Sequence, residues 1–273
     1  MCLKKILGWF KPNVNPVPVP EPDQVEGNKK TALLFAINDY PGSANDLRGC
    51  IKDQLNVVDK LNKQFLGFVI KTFKDSQVTR KVFITEVTSA INELKPGDVL
   101  LVHYSGHGTQ VYDKSGDEKD GYDEALYLYD GVVIDDDIGS YLKNIPDGAI
   151  VVLMFDSCFS GTVTRSSKDK KNKIKFVKTE GLPLRRKKRI RISKEEMKWI
   201  VFSGCEEHQT SADAYINGDY NGAFTYYAMK TLVPNITYNE WLVQIKKYLP
   251  SSIFEQIPTL EGKVSLFDNK VLI

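Results

Sequence analysis

Three features that would place the chain in a special class are missing from its 273 residues. No apolar run approaches the roughly 18 residues that a membrane-spanning helix needs. The cysteines are too few and too widely spaced for a disulfide framework or a zinc motif; they are Cys2, Cys50, Cys158 and Cys205. With 42% hydrophobic and 26% charged residues, the composition also excludes a disordered or collagenous chain. We therefore expect a soluble, cytoplasmic protein with a sizeable core.

The formal net charge of +2 conceals a strong asymmetry. The segment Arg165–Lys194 holds 14 Lys or Arg against 2 acidic residues, whereas the rest of the chain holds 23 basic against 33 acidic residues. An acidic body thus carries one very basic insert. Because the insert shows no apolar periodicity, we expect an exposed loop without a core of its own.

The first 28 residues differ in composition from the rest of the chain. Met1–Phe10 is too short and too poorly flanked for a signal peptide. Five closely spaced prolines then predict a stiff linker; they are Pro12, Pro16, Pro18, Pro20 and Pro22. Two interpretations remain open, a disordered leader and an amphipathic anchor for a membrane or a partner.

From residue 29 onward, apolar strands alternate with amphipathic helices. Near-continuous apolar runs at Asp98–Tyr104 and Ala149–Phe155 predict parallel strands buried on both faces. Thr31–Ile37 predicts another buried strand, and further strands are predicted at Phe68–Phe73 and Lys198–Ser203. Helical spacing or composition predicts helices across Leu47–Phe65, Thr79–Leu94, Gly222–Leu232 and Tyr238–Leu249. This alternation predicts an α/β fold with a mostly parallel central sheet and helices on both faces.

The carboxyl ends of two predicted strands carry a histidine and a cysteine. Ser105-Gly106-His107-Gly108 follows one strand, and Cys158 lies three residues beyond the end of another. Functional sites in parallel sheets form at this edge. Either residue alone is more typical of a loop or a core position, but together they predict catalysis.

The chemistry of a cysteine nucleophile explains why both residues are needed. A thiol is mostly protonated near pH 7 and needs a neighbouring base. His107 would take the proton of Cys158 and later deliver one to the leaving amine. The main-chain N–H groups of Gly108 and Cys158 are the expected donors to the oxyanion.

Four motifs together resemble those of the metacaspases, the caspase-fold cysteine peptidases of plants, fungi, protists and bacteria. They are YSGHG (Tyr104–Gly108), DGYDE (Asp120–Glu124), FDSCFSG (Phe155–Gly161) and SGCEEHQTSADA (Ser203–Ala214). The resemblance is to type I members or their prokaryotic counterparts and implies a caspase-like fold with His107 and Cys158 as the dyad. It also implies one peptidase domain over 29–273, with a large-subunit region over 29–164, the basic loop over 165–194 and a small-subunit region over 195–273.

Acidic residues near the nucleophile predict the substrate class. Asp156, two residues before Cys158, would repel an acidic side chain before the cut (P1) and attract Lys or Arg. The resemblance implies that Asp53 is the second acid of this S1 pocket and that Cys50 and Ser105 line it. We therefore predict protein or peptide substrates with Lys or Arg at P1; a solvated helix face is the alternative for Asp53.

An acidic stretch after His107 raises the question of a metal. Its spacing is not that of an EF-hand loop. The resemblance instead implies a Ca²⁺ site built by Asp123, Asp135 and Asp136, but Arg165 stands where the family has a fourth acidic ligand. The alternative is that Asp135 and Asp136 cap a helix. We predict calcium stimulation and no other cofactor.

The basic loop lies where the family carries its activation cleavage. In an enzyme that cuts after Lys or Arg, such a loop predicts self-processing. Candidate cleavage sites are densest at Arg185, Arg186, Lys187, Lys188 and Arg189. The alternatives for the loop are nucleic-acid binding and a solvated loop without a binding role. Two hypotheses describe the function of the whole chain. The first is a Lys/Arg-specific cysteine endopeptidase, which we expect to be a monomer, and the second is a catalytically weak caspase-fold scaffold or binding protein. We expect Cys205 to be structural.

Overall fold

A computed structural model describes residues 28–112, 122–158, 172–179, 193–206 and 209–273. The strands are β1 Lys30–Ala36, β2 Phe68–Lys74, β3 Val99–Ser105, β4 Gly108–Tyr112, β5 Tyr122–Leu128, β6 Gly131–Ile134, β7 Ile150–Asp156, β8 Lys173–Ile174, β9 Ile200–Ser203, β10 Ala212–Ile216, β11 Asp219–Gly222 and β12 Thr259–Gly262. The α-helices are α1 Cys50–Gln64, α2 Arg80–Asn92, α3 Asp135–Leu142, α4 Ala223–Thr231 and α5 Tyr238–Ile245.

The central sheet has six strands in the order β12-β9-β7-β3-β1-β2. All neighbours are parallel except β12, which runs antiparallel to β9. The predicted α/β class is confirmed, and the five predicted apolar strands are β1, β2, β3, β7 and β9. Strands from both sides of the basic loop therefore share one sheet.

The core lies in two layers, one on each face of this sheet. Ala32 and Leu34 of β1 belong to one layer, and Leu33 and Phe35 belong to the other. This split follows from the two-residue period of a strand. The first layer packs against α1, α4 and α5, and the second against α2 and α3.

Local sequence explains where two helices begin. The Thr79 side chain accepts the N–H of Val82 at the start of α2. Thr237 and Glu240 form a reciprocal capping box at the start of α5. Such caps satisfy N–H groups that have no partner within the helix.

Two small antiparallel sheets lie at the carboxyl edge of the central sheet. One has the order β4-β5-β6 and follows directly from β3. The other has the order β11-β10-β8. The edge strands β4 and β8 of these sheets lie near the carboxyl ends of β3 and β7, which are followed by the predicted dyad. No helix in the described ranges is long and apolar enough to cross a membrane.

The leader, residues 1–28, lies outside the described residues apart from Asn28, and its two interpretations stay predictions.

Candidate active site

The pairing of β3 with β7 brings the predicted dyad together. Ser105 and Asp156 are paired at the last positions of these parallel strands. His107 and Cys158 each follow two residues later, so both emerge at the same edge of the sheet. Both are buried, with exposed fractions of 4% and 0%.

The imidazole of His107 is oriented by main-chain and aromatic groups. Its Nε2 lies 2.7 Å from the carbonyl oxygen of Asn45, which accepts only if Nε2 carries the proton. Its Nδ1 has no hydrogen-bond partner among the described residues. The ring of Tyr40 packs against the imidazole, with 4.9 Å between the two ring centres. Burial lowers the pKa of His107 to about 4, so the ring is neutral near pH 7 and Nδ1 is available as a base.

Two tyrosines also fix the main chain of His107. Its N–H donates to the Tyr40 hydroxyl (2.8 Å), and its carbonyl accepts from the Tyr104 hydroxyl (2.8 Å). A Cβ at Gly106 would come within 3.0 Å of both hydroxyls, closer than real Cβ atoms come to other atoms. A side chain at Gly106 would therefore displace the network that positions His107.

Cys158 faces the turn before β10. The N–H of Ser211 donates to its sulfur, and its thiol lies 3.1 Å from the Ser211 carbonyl oxygen. Cys205 is also buried, and a hydrogen bond with the Cys158 thiol together with burial raises the pKa of the Cys205 thiol. Cys205 therefore stays protonated, and its structural role stays a prediction.

Two main-chain amides converge on one carbonyl oxygen, and that oxygen belongs to the basic loop. The N–H groups of Gly108 and Cys158 donate to the carbonyl oxygen of Lys175, at 2.9 and 3.2 Å. Paired amide donors of this kind stabilise the oxyanion that develops when a carbonyl is attacked. The predicted oxyanion donors are therefore brought together around a peptide carbonyl.

The Lys175 side chain fills a buried acidic pocket. Its ammonium lies 3.2 Å from a carboxylate oxygen of Asp53 and 3.1 Å from one of Asp156, and it donates to the Ser105 hydroxyl at 2.9 Å. Lys175, Asp53 and Asp156 are each fully buried. A buried ammonium is stable only with such partners.

Main-chain donors hold the two carboxylates in place. The N–H of Gly222 donates to both oxygens of Asp53, at 2.8 and 2.9 Å. The N–H of Thr225 and the hydroxyl of Ser211 donate to Asp156, at 2.8 and 2.7 Å. The strand β11, the start of α4 and the turn before β10 thus build one side of the pocket.

The surroundings of the two acids shift their pKa values in opposite directions. Burial raises the pKa of Asp53 to about 7, although Lys175 opposes the shift. For Asp156, burial acts in the same direction, but Lys175 and the hydrogen bonds from Ser211 and Thr225 outweigh it, and the pKa is lowered. Asp156 is therefore the ionised partner of Lys175, and Asp53 titrates near neutrality.

Cys50 is buried where α1 begins, one turn before Asp53. Its N–H donates to the Asn38 side chain, and burial raises the pKa of its thiol. All four residues predicted for S1 thus lie in or next to one pocket.

Residues 172–179 cross the site between β10 and β4, with a bend at Lys175. Before Lys175, β8 pairs antiparallel with β10, and the N–H of Lys175 donates to the Ser211 carbonyl (3.1 Å). After Lys175, Phe176 forms a parallel bridge with Gly108, the first residue of β4. The segment is thus held on both sides of the Lys175–Phe176 peptide bond.

The predicted calcium ligands are only partly described. Asp123 is buried on β5, with 7% of its surface exposed. Asp135 and Asp136 begin α3 directly after β6, but nothing is described of their side chains. Because Ala125 of β5 pairs with Ile134 of β6, the three residues lie at the same end of this hairpin. In the described ranges, no three metal-binding side chains cluster together. Arg165 and the predicted cleavage cluster, residues 185–189, lie outside those ranges.

Several residues of the site were not predicted from the sequence. Asn45 and Gly222 contribute main-chain groups, which no side-chain pattern reveals. Ser211 lies within the last of the four motifs, so that motif contained the signal without assigning it. Lys175 is one of 14 basic residues in its segment, and only its burial distinguishes it.

Comparisons with known proteins agree with this geometry. The caspase-domain model of peptidase family C14 matches residues 29–266. Metacaspase-1 of Meyerozyma guilliermondii is 31% identical over 287 aligned residues, which cover 86% of this chain and 69% of the relative. Metacaspase-1 of Schizosaccharomyces pombe is 30% identical over 302 residues, covering 90% and 70%.

Solved structures share the fold. The crystal structure of a protein from Geobacter sulfurreducens superposes with a TM-score of 0.70 at 26% identity, covering 89% of this chain and 98% of that one. Caspase-1 of Spodoptera frugiperda superposes with a TM-score of 0.54 at 16% identity, covering 86% and 87%. From its match to the family model and its identity to curated relatives over most of its length, the chain belongs to the metacaspases, a family of caspase-domain cysteine peptidases.

Proposed function

We propose that this peptidase cuts peptide bonds after Lys or Arg, with Cys158 as the nucleophile and His107 as the base. One observation carries the proposal. The carbonyl oxygen of Lys175 accepts from the amides of Gly108 and Cys158, while its ammonium fills the acidic pocket. Lys175 therefore occupies the site as a P1 residue would.

The reaction follows from these contacts. His107 Nδ1 takes the thiol proton, the sulfur of Cys158 bonds to the carbonyl carbon, and negative charge moves to the oxygen between the two amides. The C–N bond then breaks, and the proton on His107 passes to the leaving amine. Water hydrolyses the thioester, which releases a new carboxylate and restores the thiol.

The acidic pocket accounts for the proposed specificity. A lysine ammonium gains charge-assisted contacts with Asp53 and Asp156 and a hydrogen bond with Ser105. An Asp at P1 would be too short to make these contacts and would meet like charge, at a cost of about 2–5 kcal/mol. We expect cleavage after Lys and Arg and none after Asp.

We further propose that the chain cuts itself between Lys175 and Phe176. Lys175 lies within the basic loop in which self-processing is predicted, and its contacts favour this bond over the cluster at residues 185–189. Since the segment is already seated, its effective concentration at the site is on the order of millimolar or higher. The first cut then occurs within one molecule.

Mass spectrometry of the purified chain tests both proposals. Wild-type protein should yield fragments ending at Lys175 and beginning at Phe176, at a first-order rate that dilution does not change. Cys158→Ala should remain whole, and Lys175→Ala should not be cut at this bond. Lys178→Ala is the matched control, because Lys178 is exposed three residues further on, and it should be cut like wild type.

Two results would count against these assignments. A Cys158→Ala protein that still cuts itself would exclude Cys158 as the nucleophile. A wild-type chain that is cut only within residues 185–189 would show that Lys175 is not the processing site. Peptides ending in Lys, Arg or Asp, supplied in solution, measure P1 specificity independently of self-cleavage.

We also propose that Ca²⁺ stimulates the peptidase by binding to Asp123, Asp135 and Asp136. Carboxylate oxygens from two adjacent segments suit this hard cation, and the β5–β6 register supports a shared site. The ion would neutralise acidic repulsion at this end of the hairpin, whose neighbour β4 carries Gly108. The site would be weakened by Arg165, since a nearby cation opposes a metal ion.

A further inference from the structure

The free edge of β4 lies directly beyond the proposed cleavage point. Among the described residues, β5 is the only strand of this sheet that pairs with β4, so the other edge of β4 is left to segments outside the sheet. An exposed strand edge offers unpaired N–H and C=O groups to an extended peptide. Gly108, which supplies an oxyanion donor, is also the first residue of this edge.

Residues after Lys175 use this edge in the intact chain. The N–H of Val177 donates to the Gly108 carbonyl at 3.0 Å, and Phe176 bridges Gly108 in parallel register. Two residues further on, the Thr179 hydroxyl donates to the Gln110 carbonyl at 3.1 Å. The segment therefore follows β4 for four residues beyond the cut.

Thr109 adds a side-chain contact to these main-chain bonds. Its hydroxyl lies 3.1 Å from the Thr179 hydroxyl, and Thr109 is fully buried. With Thr179 donating to Gln110, a hydrogen bond that it accepts from Thr109 uses both functions of its hydroxyl. A side chain without a hydroxyl at this position would leave Thr109 with only its long, 3.4 Å contact to Gln110.

We propose that the edge of β4 from Gly108 to Gln110 is a substrate site for the residues that follow the scissile bond. It binds them as a parallel strand, and Thr109 selects Ser or Thr at the fourth position (P4′). The substrate class is therefore an extended peptide with Lys or Arg at P1 and a hydroxyl residue four positions after the cut. This inference rests on the proposed cleavage after Lys or Arg.

Internally quenched peptides test the main-chain part. The parent peptide copies Asn172–Thr179 and is supplied to full-length wild-type protein whose self-cleavage has gone to completion. N-methylation of the residue matching Val177 removes the bond to Gly108 and should lower kcat/KM about tenfold. N-methylation of the residue matching Lys178 is the control, because alternate N–H groups of a strand point away from the partner, and it should change kcat/KM less than about twofold.

Substitution at P4′ tests the selectivity. Replacing the threonine of the peptide by valine keeps its shape and should lower kcat/KM about tenfold, whereas serine should retain most of it. In Thr109→Val, the preference for threonine over valine should fall, whereas Thr109→Ser should preserve it. Because each variant is compared through the ratio of two substrates, a general loss of activity does not imitate the effect.

The three ways of failing are distinguishable. If no peptide is cut after Lys by the wild-type protein, the proposed function is wrong, and this inference falls with it. If all peptides are cut with the same kcat/KM, the proposed function stands and the β4 site is refuted. If N-methylation matters but P4′ does not, strand addition stands and the role of Thr109 is refuted.

Discussion

Filling the acidic pocket without changing its charge is the sharpest test of the proposed S1 site. A Cβ added at Gly222 would lie 2.5 Å from a carboxylate oxygen of Asp53, and closer still to Asp156 and to the ammonium of Lys175. The N–H of residue 222 would remain to bind Asp53. The backbone of Gly222 has φ −67° and ψ 126°, which alanine adopts without strain.

Gly222→Ala should therefore block the P1 side chain sterically. A displaced ammonium loses its contacts with two buried carboxylates, and breaking a buried ion pair costs about 3–5 kcal/mol. This corresponds to a loss of about 10²–10³-fold or more in kcat/KM for a Lys substrate. Self-cleavage after Lys175 should slow by a similar factor.

The assay compares kcat/KM for one Lys peptide between Gly222→Ala and Gly131→Ala. At Gly131 an added Cβ meets no atom within 4 Å, so this variant should behave like wild type. Thermal unfolding of each variant checks that the fold is retained. A folded Gly222→Ala protein that keeps kcat/KM within about threefold would refute the assignment of this pocket to the P1 side chain.

Three further predictions concern single side chains. Asp53→Asn should lower kcat/KM for Lys peptides about 10–100-fold. The control Asp59→Asn, on the exposed side of α1, should have no effect. If Asp53→Asn has the same kcat/KM as wild type, Asp53 does not belong to the S1 pocket. Burial lowers the pKa of His103 from 6.5 to about 4, so on acidification the unfolded chain binds a proton at this residue before the folded chain does. The contribution of His103 to the free energy of unfolding is therefore fully present above pH 6.5 and falls by about 3 kcal/mol toward pH 4. Denaturant unfolding of Cys158→Ala with and without His103→Gln isolates this contribution, because His107 and Asp53, which also titrate in this range, are present in both proteins. If calcium acts as proposed, Asp123→Asn should raise the Ca²⁺ concentration needed for half-maximal activity, whereas full activity in a chelator would exclude that role.

The middle strands β1, β3 and β7 of the central sheet were the most predictable, because they are buried at nearly every position. Runs such as Ala149–Phe155 are apolar at nearly every position, and a run of this length and composition is typical of a strand covered by helices on both sides. The ends of β3 and β7 then placed His107 and Cys158 at one edge. The placement of His107 and Cys158 at one edge was thus predictable from chain order and the geometry of parallel sheets.

The smaller antiparallel sheets were not predicted, for a physical reason. Strands such as Gly108–Tyr112 and Asp219–Gly222 are short, and they contain glycine and polar residues. Their stability comes from cross-strand pairing and from the central sheet beneath, not from their own composition. Local patterns carry little signal for such elements.

Contacts made by main-chain groups, and contacts between residues far apart in the sequence, were also not predicted. The carbonyl of Asn45, which orients His107, has no counterpart in a side-chain pattern. Gly222 matters for its N–H group and for its lack of a side chain. Lys175 looks like its basic neighbours in the sequence, and only the fold shows which lysine lies between the two carboxylates.

If the acidic pocket binds the P1 side chain as proposed, its two buried carboxylates couple that binding to proton exchange with solvent. Even with Lys175 in place, Asp53 has a pKa of about 7, and Lys175 is the partner that lowers it. When the lysine leaves, Asp53 loses the charge that lowers its pKa and keeps Asp156, which raises it, so proton uptake by the pocket is favoured. An incoming Lys or Arg substrate must expel that proton before both acids can pair with its charge. On this proposal, acidification below neutrality weakens binding of a Lys or Arg side chain in the pocket while His107, with its pKa of about 4, is still neutral.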